Sequence, residues 1–157
     1  MPSNYESSPQ PEPRFYNPQL FTPEGSPSTE LVARMDKLIA ASQEMFTANE
    51  VQGVYLVGSQ NTETKPGSDI DVLVKTATIN IGNKAEPRSL SLMGVANPGV
   101  DPKVLIGLDG KFHVPPEIKA GFFDIFIRSY GPFTDSNHRQ GCHFYNFLSK
   151  EWVWTKE

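Results

Sequence analysis

Asp69 and Asp71 flank a single isoleucine at the head of an apolar run, Asp69-Ile70-Asp71-Val72-Leu73-Val74. On a strand, acids at i and i+2 project from the same face, roughly 7 Å apart. Ile70, Val72 and Val74 then project from the other. A strand that buries one face and lifts two carboxylates off the other suits a hard divalent cation, which takes oxygen ligands. A third acid lies in Phe122-Phe123-Asp124-Ile125-Phe126. Over a strand predicted for 121–129, Phe123, Ile125 and Ile127 share one face. Phe122, Asp124, Phe126 and Arg128 share the other. A lone carboxylate among apolar neighbours is costly to bury unless it is paired or bound to a cation.

Upstream, the apolar run Val54-Tyr55-Leu56-Val57 stops at Gly58-Ser59. Without a side chain, Gly58 lets the backbone come close to a ligand. Ser59, placed at the start of a short helix, offers free amides and a hydroxyl to phosphate oxygens. By itself Gly-Ser is an ordinary turn. Here nine residues, 60 to 68, separate it from Asp69, with Pro66-Gly67 as the turn signal.

The ordered set of Gly58-Ser59, Asp69-Ile70-Asp71 and Asp124 resembles the nucleotidyltransferases of the DNA polymerase beta superfamily. Their signature is an apolar strand ending in Gly-Ser or Gly-Gly, a spacer, Asp-apolar-Asp or Asp-apolar-Glu, and a later acid on a further strand. The resemblance covers roughly 31–128. It implies an α+β, two-layer fold: a mixed β-sheet with helices packed on one face and the acids on the open face. It also implies transfer of a nucleoside monophosphate from a nucleoside triphosphate, with ATP the expected donor, to an acceptor hydroxyl, releasing pyrophosphate. Two Mg2+ ions, or Mn2+ in their place, roughly 3.5–4 Å apart would stabilise both ends of the displacement. By the same resemblance Asp69 and Asp71 bridge both ions. Asp124 holds the ion that activates the acceptor hydroxyl and accepts its proton. Gly58 and Ser59 bind the beta and gamma phosphates, Ser68 belongs to the nucleotide site, and Lys65, Lys75 and Arg128 are charge partners for the triphosphate.

The resemblance leaves the acceptor open among RNA, protein and small molecules. Larger relatives carry a helical acceptor-binding domain after the core, and nothing after Arg128 reads as a helix bundle. Small members, some paired with a helical partner as toxin–antitoxin systems, are the nearest comparison. A helical partner protein or a homo-oligomer is therefore expected to complete the acceptor surface, or loops such as 79–102 do so. Two other readings stay open. One is a catalytically weak nucleotide-binding, regulatory or antitoxin-like protein of the same fold acting through a partner. The other is a sugar-nucleotide glycosyltransferase with an Asp-x-Asp motif, a class that usually needs a larger nucleotide-binding domain.

Residues 1–28 hold seven of the fourteen prolines and are read as a flexible tail. Phe15-Tyr16 and Leu20-Phe21 are its apolar anchors, able to dock on a partner or on the tail's own domain. Residues 29–157 form one domain. Ser28 or Thr29 caps a helix with Glu30 in its first turn. Leu31, Met35, Leu38, Ser42 and Met45, widened by Val32, Ile39 and Phe46, make its buried stripe. Strands are predicted over 51–57 and 68–75. The insert 79–102 contains Leu90, Leu92 and Met93, enough for a short strand or helical turn, and reads as a lid or acceptor loop. Asp109-Gly110, between Val104-Leu105-Ile106 and Phe112-His113-Val114, predicts a hairpin, with Asp109 a turn residue. Phe144, Phe147 and Leu148 suggest a short helix, and Trp152-Val153-Trp154 a closing strand.

Net charge is −4, so no basic field recruits nucleic acid. A single cysteine, Cys142, makes no internal disulfide. No secretory signal and no apolar run of about 18 residues is evident. Together these predict a soluble, cytoplasmic protein without a membrane partner. His138, Cys142 and His143 lack the paired-cysteine spacing of a zinc site.

Overall fold

The structure is a computed structural model of the 157-residue chain, and it describes residues 17–58, 67–132 and 143–154. Ser28 caps the first helix, α1 (Thr29–Phe46), its hydroxyl accepting the Leu31 N–H at 3.2 Å. Leu31, Met35, Leu38, Ser42 and Phe46 line the buried face of α1. Ser42 satisfies its hydroxyl within the helix by donating to Leu38 O at 2.7 Å.

Strands β1 (Val51–Val57) and β2 (Ile70–Thr76) pair antiparallel. Helix α2 (Pro87–Ala96) follows, starting with proline where no amide donor is needed. A four-residue helix, α3 (Pro116–Lys119), leads into β3 (Phe123–Arg128), which runs parallel to β2. Strands β4 (His143–Asn146) and β5 (Glu151–Trp154) complete a five-stranded mixed sheet of order β3-β2-β1-β4-β5. The fold is thus α+β. Val54, Leu56, Ile70, Val72, Val74, Phe123, Ile125 and Ile127 form one core with residues of α1 and α2. On the opposite face Tyr55, Val57, Leu73 and Phe144 make a smaller cluster.

The insert 79–102 is not a free lid. It contains α2, whose Leu90, Leu92, Met93 and Ala96 are buried in the main core. The hairpin expected around Asp109-Gly110 is reduced to a single bridge, Ile106↔Phe112. Ahead of it Asp101 caps a 3-10 turn, Pro102–Leu105, accepting the Lys103 N–H at 3.1 Å. A three-residue apolar run is too short to prevail over that cap and its proline. Asp109 is a turn residue, accepting the Lys111 N–H. Phe122 precedes β3 and packs in the main core, its ring 6.1 Å from that of Phe112, rather than on the face of Asp124.

The short helix expected at Phe144–Leu148 is replaced by β4. Asn146 explains why: its Oδ1 accepts the Val54 N–H at 3.1 Å and the Leu148 N–H at 3.0 Å, joining the strand end to β1. Sheet pairing overrides the local helical spacing.

Residues 17–28, assigned to the tail, lie on this core. Phe21 is 4% exposed, with its ring centroid 5.1 Å from Trp152 and 6.1 Å from Tyr145. Trp152 donates its indole N–H to Gly25 O at 2.8 Å. The apolar pair Leu20-Phe21 thus docks on the chain's own domain. Residues 1–16, with Phe15 and Tyr16, lie outside the described residues. Among the described residues no helix is long and apolar enough to cross a membrane.

Candidate metal centre

β2 and β3 lie side by side in parallel register, with Asp71 directly opposite Asp124. Parallel neighbours in register point the same way, so the two carboxylates leave the sheet together, about 4.8 Å apart at the backbone. Asp69 sits just before β2, two residues from Asp71. One oxygen from each of Asp69, Asp71 and Asp124 lies within 4.8 Å of the others. These three acids are the ones the sequence singled out.

β1 brings its end to the same place, since Val57 pairs with Asp71 and Gly58 follows. Gly58 adopts φ +73°, and a Cβ there would stand 2.5 Å from Asp71 Oδ2. The glycine is needed for both its backbone angle and its lack of bulk.

Asp124 is the most enclosed acid, 6% exposed. Its Oδ2 accepts from Lys84 Nζ at 2.5 Å. Its Oδ1 is buried and has no hydrogen-bond partner among the described residues, and it is the one such side-chain atom there. Burial raises the Asp124 pKa, and the Lys84 pair only partly offsets this. Asp71 is pushed up to about 7, by burial first and then by the charges of Asp69 and Asp124, against a smaller opposing pull from Lys84 and Lys119. Three crowded, partly desolvated carboxylates and one orphaned oxygen form a donor set that fits a hard, oxygen-seeking cation.

The other predicted residues divide. Ser68 ties the starts of the two acid strands together, its carbonyl accepting the Gly121 N–H at 3.3 Å. Arg128 shares the Asp124 face, stacks over Phe126 (4.9 Å) and Tyr130 (5.4 Å), and its charge reaches Asp124. Lys75 does not join the cluster. It stands four residues beyond Asp71, about 13 Å along the strand, and donates to Gln52 Oε1 at 2.7 Å. It was expected as a charge partner for the triphosphate, but strand rise carries it away from the acids. Ser59 and Lys65 lie outside the described residues, as do His138 and Cys142.

Four residues missed in the sequence take part. Lys84 pairs with Asp124, and Lys119 acts on Asp71. Asn97 clamps the residue before Asp124: its Oδ1 accepts the Phe123 N–H at 2.7 Å and its Nδ2 donates to Phe123 O at 3.0 Å. Arg34 lays its guanidinium 3.6 Å from the Phe123 ring centroid and donates to Asn97 Oδ1, Ala96 O and Gly121 O. The clamp fixes β3 where it presents Asp124. The only sequence signal was a cation on an otherwise apolar helix turn, Arg34, which reads as a solvated side chain.

Comparison of the chain with family models, with curated proteins and with solved structures finds no match.

Proposed function

We propose that the protein is a metal-dependent nucleotidyltransferase that moves a nucleoside monophosphate from a nucleoside triphosphate, with ATP the expected donor, to an acceptor hydroxyl. The observation that carries this reading is the meeting of Asp69, Asp71 and Asp124 within 4.8 Å beside the Gly58 turn. Asp69, Asp71 and Asp124 would hold Mg2+ or Mn2+. A bound divalent cation supplies stabilisation of the charge that develops on the attacking and leaving oxygens.

The chain's own residues do the rest. The carboxylates orient the site and repel water-borne anions that arrive without a cation. Gly58 leaves room for the Asp71 carboxylate beside the turn. Lys119 and Arg128 lend positive charge from the rim. The acceptor oxygen forms its bond to the alpha phosphorus as the bond to the beta-phosphate oxygen breaks. Pyrophosphate leaves, and the acceptor's proton passes to an Asp124 oxygen. Burial raises the proton affinity of that carboxylate above its ordinary value.

The test is incubation with each alpha-labelled nucleoside triphosphate, Mg2+ and a cell extract, with Asp71→Asn in parallel. Label entering an acceptor with wild type but not with the variant supports the reading. No labelled acceptor with any nucleotide defeats it. The Lys84–Asp124 pair favours a second reading, nucleotide binding with little turnover. Tight nucleotide binding without label transfer selects that one.

A further inference from the structure

Lys84 reaches the acids from outside the strands that carry them. The segment leading to it is stitched along the outer edge of β3. Ile81 N–H donates to Ile127 O at 2.8 Å, and Asn80 Oδ1 accepts the Ser129 N–H at 2.7 Å. Just before Lys84, Asn83 turns the chain into α2, its Oδ1 accepting the Ala85 N–H at 2.9 Å and its carbonyl the Glu86 N–H at 3.0 Å. The backbone is therefore held on both sides of Lys84. Its ammonium lies 2.5 Å from Asp124 Oδ2 and 4.4 Å from the centroid of the Phe126 ring. The side chain keeps 33% of its surface in solvent, against 8% for Asp124, so the lysine has room to leave and the carboxylate does not.

Charge decides what this contact does. Once ionised, as binding a cation requires, the three carboxylates carry three negative charges, and Lys84 cancels one. A single divalent cation cancels the remaining two. A second would leave the cluster positive unless an anion came with it or Lys84 withdrew. A counter-ion present only for stability would be expected to leave its carboxylate satisfied, yet Asp124 Oδ1 remains buried without a partner among the described residues.

Resting on the metal-dependent reading above, we propose that Lys84 is a built-in competitor for the cation position on Asp124. It limits the cluster to one divalent cation when no polyphosphate is present. It yields Asp124 Oδ2 to a second when a polyphosphate arrives to take its ammonium. Lys84 thereby couples second-cation binding to the presence of an anionic substrate.

The experiment counts Mn2+ bound to the full chain by the loss of the free-ion paramagnetic resonance signal. Wild type, Lys84→Met, Lys84→Gln and Asp69→Asn are compared, with circular dichroism melts to confirm folding. Wild type is expected to take one Mn2+ alone and a second only with inorganic tripolyphosphate, after correction for Mn2+ held by tripolyphosphate itself. Either Lys84 variant is expected to take the second without it, at least about tenfold more tightly than wild type, the scale on which groups around metal ligands tune affinity. A structural counter-ion would change the melt and not the count. Two Mn2+ on wild type without tripolyphosphate overturns the proposal, whatever the variants do. So does equal binding by wild type and the Lys84 variants. If Asp69→Asn meanwhile abolishes binding, the metal reading stands and only the role of Lys84 falls. No Mn2+ on wild type sinks both.

Discussion

Gly58 and Asp71 are packed so closely that a Cβ on the glycine would stand 2.5 Å from Asp71 Oδ2. The contact joins the turn after β1 to the acid on β2. It makes a prediction that a second glycine controls. Gly58→Ala must strain a left-handed backbone, about 1–2 kcal/mol, and also push the carboxylate aside. Gly67 has φ +83° but nothing within 4 Å of its would-be Cβ. Gly67→Ala should therefore lose comparable stability while keeping Mg2+-dependent transfer within about threefold. Gly58→Ala should lose about 100-fold, the effect of a misplacement of roughly 1 Å. Melting curves and initial rates on the two variants check this, and equal rates would show that the close approach is irrelevant to the site.

The Asp71 carboxyl predicts an unusual pH dependence. Its folded-state pKa, about 7, lies above its ordinary 3.8. Between those values the folded chain binds more proton than the unfolded one, so this group's stabilising protonation is full below the lower value and lost as pH rises through the upper. Without metal, stability should fall from about pH 4 to about pH 7, with Asp124 pulling in the same direction. Asp71→Asn should remove much of that slope. At about pH 8 it should melt higher than wild type, by roughly 2–4 °C for about 1 kcal/mol after solvent screening. Mg2+ should raise the wild-type melting temperature at the alkaline end and much less at the acid end. Parallel pH–melt profiles of the two chains are the check.

Phe21 makes residues 17–28 part of the folded unit. Phe21→Ala should cost about 3–5 kcal/mol, as for other buried aromatic truncations, since the ring is 4% exposed and packed on Trp152 and Tyr145. Urea unfolding of the variant beside wild type measures the loss, and an unchanged midpoint would show that residues 17–28 do not belong to the folded unit.

Much of the site was legible because it obeys short-range periodicity. Alternation placed Asp69 and Asp71 on one face, and the apolar neighbours of Asp124 placed it on a strand. The stripe from Leu31 to Phe46 named the buried face of α1 in the same way. What escaped depends on contacts between distant residues. Lys84 meets an acid forty residues away, and the pair leaves no mark on local spacing. Asn97 reads as the first residue of an Asn-Pro-Gly turn, yet its amide spends all its bonds on the main chain and on Arg34. β4 is a strand because Asn146 and its neighbours find β1 and β5, a fact of sheet pairing that the helical spacing of Phe144, Phe147 and Leu148 conceals. Prolines made residues 17–28 look unstructured. One buried ring and an indole hydrogen bond hold them down.

An anomalous-difference map from crystals grown with Mn2+ and a non-hydrolysable nucleoside triphosphate analogue tests the metal centre most directly. A manganese peak is expected in contact with Asp69, Asp71 and Asp124, with the triphosphate running from it toward the Gly58 turn. A triphosphate bound elsewhere, or clear nucleotide density with no manganese at these three carboxylates, would contradict it.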